Sequence, residues 1–252
     1  MKRWIIAVLL AAATPAVAQV NERFLTGETL DYDLSWLGIP GGSARMTVGP
    51  EPNNPSRLRM TSVAKTSSSF SFIIRVRDEI ESIVARDDFS TLHYKKHLNE
   101  RGKVKDDTTV VDEQGRIATR TRPKHTPQEV AVPRPVFDPL SLVYHLRALE
   151  LQPGRTQSFT VLADGKVYKL DARVTGRETL QTPAGTFRTV VVEPRMLAGG
   201  LFKDEGSLTI WYTDDARHIP VRIRSDVKVG SITASLRAIH GGAGDPEPVI
   251  GR

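Results

Sequence analysis

The chain has 252 residues, with 35 Lys and Arg against 29 Asp and Glu, a formal charge of +6, and no cysteine. The missing cysteine excludes disulfide stapling, thiol catalysis and zinc–thiolate sites, so the fold must be stable from packing alone, which this length allows. Charges of both signs are interspersed along the chain, the pattern of a soluble surface.

The chain opens MKRWIIAVLLAAATPAVAQV. Lys2 and Arg3 form a positive n-region, Trp4 to Ala13 a short apolar run, and Ala16-Val17-Ala18 the small residues a signal peptidase needs. Residues 1–18 therefore read as a secretory signal helix cleaved before Gln19. The apolar stretch is shorter than the ~20 residues of a bilayer span and is interrupted by Pro15. The predicted location is the periplasm. Cleavage would leave 252 − 18 = 234 residues and, without Lys2 and Arg3, a charge of 6 − 2 = +4. Export argues against nucleic acid as a partner. A modest positive balance suits anionic headgroups as neighbours, with membrane association peripheral at most.

Short alternating runs rich in β-branched and aromatic residues follow almost everywhere. LDYDLSW (30–36) distributes Leu30, Tyr32, Leu34 and Trp36 over two faces. RMTV, SRLRMTSVA, SFSFIIRVRD and EIESIVARD come next, separated by the turn signals GIPGG (38–42), GPEPNNP (49–55) and RDD (86–88). TLHYKKHL and a hairpin turning at EQG (113–115) lead into a Pro-rich break, PKHTPQEVAVPRPV. One segment has helical spacing, with Asp138 as N-cap, Pro139 at the first helical position and Pro153-Gly154 as the stop, predicting a helix near residues 138–151. Strands resume with RTQSFTVLA, KVYKLDARVTGRETL, GTFRTVVVEPR, SLTIWYT, IPVRIRS and GSITASLRAI. Gly165 and Gly185 mark hairpins. Residues 241–252 have little to bury and read as a disordered tail. The predicted fold is all-β: a mostly antiparallel, curled sheet forming one barrel-like or β-spiral domain over 19–240, with a single helix.

Three clusters resemble chemistry. Asp214, Asp215 and His218 lie between two regular strands, where Asp side chains cap turn amides, and they read as a hairpin tip. Asp138, Ser141 and His145 place a Ser and a His four apart on the helix, a hydrolase pattern without a strained nucleophile turn or G-x-S-x-G elbow. Glu79/Glu81 and Asp31/Asp33 are same-face acidic pairs, the usual solvated side of a strand. No catalytic residue, metal ligand or cofactor is predicted. More suggestive is the apolar content, including the Gly-centred loop MLAGGLF (196–202). Trp36, Met196, Leu197, Leu201, Phe202 and Trp211 are the candidate contacts for a lipidic or other apolar ligand, with Arg222 and Arg224 near its anionic group.

Taken together, GETLDYDLSWLGIPGGSA (27–44), VRDEIES (76–82), FDPLSLVYHLRAL, TPAGTFRTVVVEP (182–194) and the stretch from WYTDDARHIPVRIRS to VGSITASL (211–236) resemble the DUF3108 family of exported bacterial proteins. That resemblance implies a curved antiparallel sheet or spiral barrel with a helix, in a Gram-negative envelope, with no catalytic residues to carry over. The expected function is non-enzymatic: holding an apolar ligand, or serving as a structural partner of an envelope complex.

Overall fold

The computed structural model describes residues 27–71, 75–196, 207–227 and 229–242. The expected signal segment and nearly all of the tail fall outside them. The described part holds fourteen strands: β1 (Glu28–Trp36), β2 (Ile39–Glu51), β3 (Asn54–Thr66), β4 (Val76–Ala85), β5 (Thr91–Glu100), β6 (Lys103–Val111), β7 (Ile117–Thr121), β8 (Gln128–Ala131), β9 (Thr156–Ala163), β10 (Lys166–Thr182), β11 (Gly185–Met196), β12 (Leu208–Thr213), β13 (Pro220–Asp226) and β14 (Ser231–Gly241). One helix, α1 (Pro139–Leu146), separates β8 from β9.

All fourteen strands join one sheet in the order β8-β7-β6-β5-β4-β3-β2-β1-β14-β13-β12-β11-β10-β9. The last strand lies beside the first, so both halves of the chain share a single sheet. Thirteen gaps of about 4.8 Å would hold the outer strands of a flat sheet roughly 60 Å apart. Instead the Lys96 ammonium on β5 sits 2.5 Å from Asp164 in the β9–β10 turn, and Arg120 on β7 bonds both Asp107 and Asp164. The sheet is therefore curled. A strand-like segment follows β8 along its seam. Phe137 donates to the Thr160 carbonyl at 2.9 Å and accepts from the Leu162 amide at 2.8 Å, but β8 and β9 do not pair. The result is barrel-like without ladder closure.

Period-two alternation puts one face of every strand inside. Leu30, Tyr32, Leu58, Met60, Val84, Val190, Val192, Ile210, Tyr212, Val221 and Leu236 form one continuous core. Leu30, Tyr32, Leu34 and Trp36 all lie on this inner face, since they are two residues apart, and not on two faces as predicted.

Three sequence expectations need correction. The helix is shorter than 138–151 and ends at Leu146; Leu149 and Leu151 pack on the core from the loop that follows. The Pro-rich break contains a short strand, β8. In the run SFSFIIRVRD, Ser69 to Ser71 belong to a turn in which the Phe70 and Ser71 amides bond back to the Ser67 carbonyl, β4 opens at Val76, and residues 72–74 lie outside the described residues.

Candidate ligand-binding cleft

Consecutive antiparallel hairpins place alternate turns at opposite ends of the barrel. One end is plugged by α1. Asp138 caps the helix, its carboxylate accepting at 2.9 Å from each of the Leu140 and Ser141 amides and, on its other oxygen, from the Ser82 and Thr91 hydroxyls at 2.5 and 2.8 Å. Burial raises this carboxyl above its ordinary value, and the four donors oppose that rise. At the far end of the helix Arg147 makes a bidentate pair with Glu28 at 2.5 and 2.9 Å, with its guanidinium 5.5 Å from the centre of the Tyr144 ring. Tyr32 donates to the Pro220 carbonyl at 2.8 Å, and Tyr212 to that of Val143 at 3.0 Å.

Among the described residues no helix plugs the opposite end. A cleft of about 830 Å³ enters it, floored by Leu34, Ala64, Phe70, Val76 and Ile232, with Trp36 standing on its wall. Trp36 packs edge-on against Phe70 at 6.3 Å between ring centres and donates its indole N–H to the Val229 carbonyl at 3.0 Å. Its orientation is thus fixed by one ring and one hydrogen bond. The charged groups of the lining are three: Asp78, raised above the ordinary carboxylate range by burial although the Asn99 amide opposes this, and the cations Lys65 and Arg101 at the mouth. An apolar hollow with few charged groups can seat a hydrocarbon chain and leave a charged head in water.

The described sequence candidates do not converge on one site. Trp36 belongs to the cleft. Ser225 also lines it, whereas Arg224 and Asp226, its neighbours on β13, line a separate shallow groove of about 470 Å³ on the outside of the sheet together with Trp211. Trp211 bonds Glu178 there. The Arg222 guanidinium donates to the Gln181 carbonyl at 2.9 Å and to the Ser235 hydroxyl at 3.4 Å, beside the β10–β11 hairpin tip. Arg224 is already paired with Asp226 at 3.0 Å. Met196 ends β11, and Leu197, Leu201 and Phe202 lie outside the described residues. The physical reason is the pleat. Trp211, Arg222 and Arg224 have the opposite parity from Ile210, Val221 and Ile223, so they face away from the interior.

Leu34, Phe70, Val76, Val229 and Ile232 were missed as site residues. Leu34 carries a sequence signal, the two-residue spacing to Trp36. The others come from three distant turns and strands, and nothing local in the sequence brings them together.

The other clusters have structural roles. Asp215 accepts from the Thr213 hydroxyl at 2.7 Å and the Arg217 amide at 2.9 Å, and Asp214 pairs with Arg177 at 2.9 Å, so this is the turn of the β12–β13 hairpin. Glu81 and Asp31 pair with Arg59 and Arg45 on the outer face. The Ser141 hydroxyl lies 2.9 Å from the Asp138 amide and 3.0 Å from its carbonyl, and completes the capping box. Among the described hydrogen bonds none joins Ser141 to His145.

His145 packs instead among Phe89, Phe137 and Phe159, with ring centres 5.8, 4.5 and 5.7 Å away. Burial lowers its imidazole to about 4, against the weaker opposing charge of Asp88. The unfolded imidazole titrates near 6.5, so between the two values the unfolded chain binds more protons, and stability falls as pH drops through that window. The full shift amounts to about 3 kcal/mol. His145→Phe should flatten that part of the pH profile in urea unfolding. A variant with the wild-type acid slope would rule this origin out.

A helix-plugged, curled antiparallel sheet with one open apolar end defines a class of β-barrel-like cup. The chain belongs to the DUF3108 family, described as "Protein of unknown function", whose model matches residues 31–237. No relative is found among curated proteins. The structure is similar to a β-barrel-like protein of the domain of unknown function DUF1849 from Brucella abortus, at 9% identity and a TM-score of 0.56, over 87% of this chain and 99% of that one. It is more distantly similar to a Bacteroides fragilis protein with a YmcC-like fold, provisionally described as exported (10% identity, TM-score 0.35, 85% and 96% of the two chains). A DUF1089 family protein from Pseudomonas aeruginosa gives 10% identity and a TM-score of 0.30, over 88% and 95%. The likeness to the DUF1849 protein supports the barrel-like fold.

Proposed function

We propose that this is a non-enzymatic protein of the bacterial envelope, exported to the periplasm, that holds an apolar or lipidic ligand in the open end of its barrel. The observation that carries the reading is the cleft of about 830 Å³, apolar within and bearing Lys65 and Arg101 at its mouth. Its volume falls in the range of small-molecule sites, and the cations Lys65 and Arg101 would meet an anionic headgroup. The leader-like N-terminus supports export.

Native mass spectrometry of the protein recovered from periplasm, followed by organic extraction, tests this directly. A retained apolar molecule is expected. An apo mass with a co-purifying protein would favour a structural partner of an envelope complex instead. Ala64→Phe plants a ring in the floor of the cleft and should reduce binding of a fluorescent acyl probe at least about tenfold, because an occupied hollow cannot admit the chain. Unchanged probe affinity in a folded Ala64→Phe variant would remove the cleft as the site.

A further inference from the structure

The turns at the two ends of the barrel differ in charge and in apolar exposure. At the cleft end, the described charged residues of the turns between strands are Arg75, Arg101, Arg122 and Lys124 against Asp164, four cations to one anion. At the plugged end, the turns between strands carry Arg86, Arg116 and Arg217 against Asp87, Asp88, Asp112, Glu113, Asp214 and Asp215, three to six. Among the described residues of these turns, charge is uneven along the barrel axis, positive at the mouth.

Exposed apolar side chains collect at the same end. Leu37 and Ile39 are each 55% exposed and Val229 is 66% exposed, on the β1–β2 and β13–β14 turns. The two turns are fastened together: the Leu37 amide donates to the Ser231 carbonyl at 3.0 Å, and the Trp36 indole to that of Val229. Leu37 lies over Gly230, where a Cβ would collide with its side chain. The apolar tips are thus held in place beside the mouth and face outward. Lys65 on β3 also stands directly opposite Arg77 on β4 at the same rim, where Arg77 is paired with Glu79 at 3.2 Å.

We propose that the cleft end is a docking surface for an anionic phospholipid bilayer. Leu37, Ile39 and Val229 enter the headgroup layer, and Lys65, Arg75 and Arg101 meet lipid phosphates around the mouth. Apolar tips ringed by cations match an interface that is apolar within and negatively charged at its surface. The exposed Glu100 beside Arg101 subtracts from the attraction without reversing it. Docked this way, the opening of the cleft faces the lipid. The docking surface stands on its own observations and does not require the ligand reading.

The test uses the chain expressed with its own N-terminal segment and recovered as the cell processes it, so that every variant carries the same terminus. Flotation is compared on phosphatidylcholine vesicles and on vesicles containing about one third phosphatidylglycerol. Binding to the anionic vesicles is expected, weakening with salt. Arg75→Glu with Arg101→Glu should lower it at least about tenfold, and Leu37→Ser with Val229→Ser should lower it on the same vesicles. Arg86→Glu with Arg155→Glu, the same charge change away from the mouth, should leave it nearly unchanged. No binding to anionic vesicles, or equal losses from both charge pairs, overturns the docking surface. The Ala64→Phe variant separates the two proposals: vesicle binding that persists while acyl-probe binding is lost leaves docking intact, and the converse leaves only the cleft.

Discussion

Arg147→Met is expected to destabilise the protein by about 3–5 kcal/mol, the cost of leaving a buried carboxylate without its partner. Arg147 is 1% exposed and Glu28 6%, and the guanidinium meets both carboxylate oxygens. Burial alone would lower the guanidinium, but the charge and hydrogen bonds of Glu28, with the nearby Tyr144 and Tyr32, together outweigh it and hold Arg147 above its ordinary value. The pair ties the end of α1 to the first rung of β1, 119 residues earlier in the chain. Breaking it therefore loosens the plug as well as stranding a charge. Arg147→Lys should recover only part of the loss, since an ammonium cannot make the two-pronged contact. Met at 147 combined with Gln at 28 should recover most of it, because replacing both ions removes the desolvation cost together with the attraction. Urea midpoints for the two single variants and the double variant give the coupling. A cost below about 1 kcal/mol for Arg147→Met would mean that water reaches the pair.

Asp138→Ala should be the next most damaging change, at about 3 kcal/mol. It removes an N-cap, worth about 1 kcal/mol, and leaves the Ser82 and Thr91 hydroxyls without their buried acceptor. Asp138→Asn should cost far less, about 1 kcal/mol, since the amide oxygen still accepts from the Leu140 and Ser141 amides and its NH₂ can donate to hydroxyls that rotate. Thermal unfolding of the two variants checks the order. At this chain length each kcal/mol moves Tm by about 2–4 °C, so Ala and Asn are well separated. Equal losses from both would mean that the charge itself, and not the hydrogen bonds, is what the site needs. The same pair of variants bears on the hydrolase pattern of Asp138, Ser141 and His145. A capping aspartate tolerates an amide, whereas one that orients a catalytic imidazole does not.

Much of this protein can be read from its sequence. Alternation in SLTIWYT and HIPVRIR assigns Ile210, Tyr212 and Val221 to the core and Asp214-Asp215 to a turn, because a strand's side chains must alternate and a tight turn needs short polar caps. Asp138-Pro139 marks the helix start for an equally local reason, the unsatisfied amides of a first turn. Where the helix ends was less legible: Leu149 and Leu151 continue the apolar spacing, yet they reach the core from a loop.

What no local pattern contains is the position of strands relative to one another. Trp36 and Val229 meet because β14 inserts between β1 and β13, and a sequence separation of 193 leaves no periodic trace. Likewise Trp36 and Trp211 both read as contacts for one ligand, and their places on opposite faces of the sheet send one to the mouth and the other to the outer surface. The sequence by itself determined strands, turns, core faces and the family, all of which depend on neighbours a few residues apart. Only the tertiary structure decided the plugged end, the open cleft and the charge difference between the two ends. Those arise when a curled sheet gathers turns from the whole chain at its two rims.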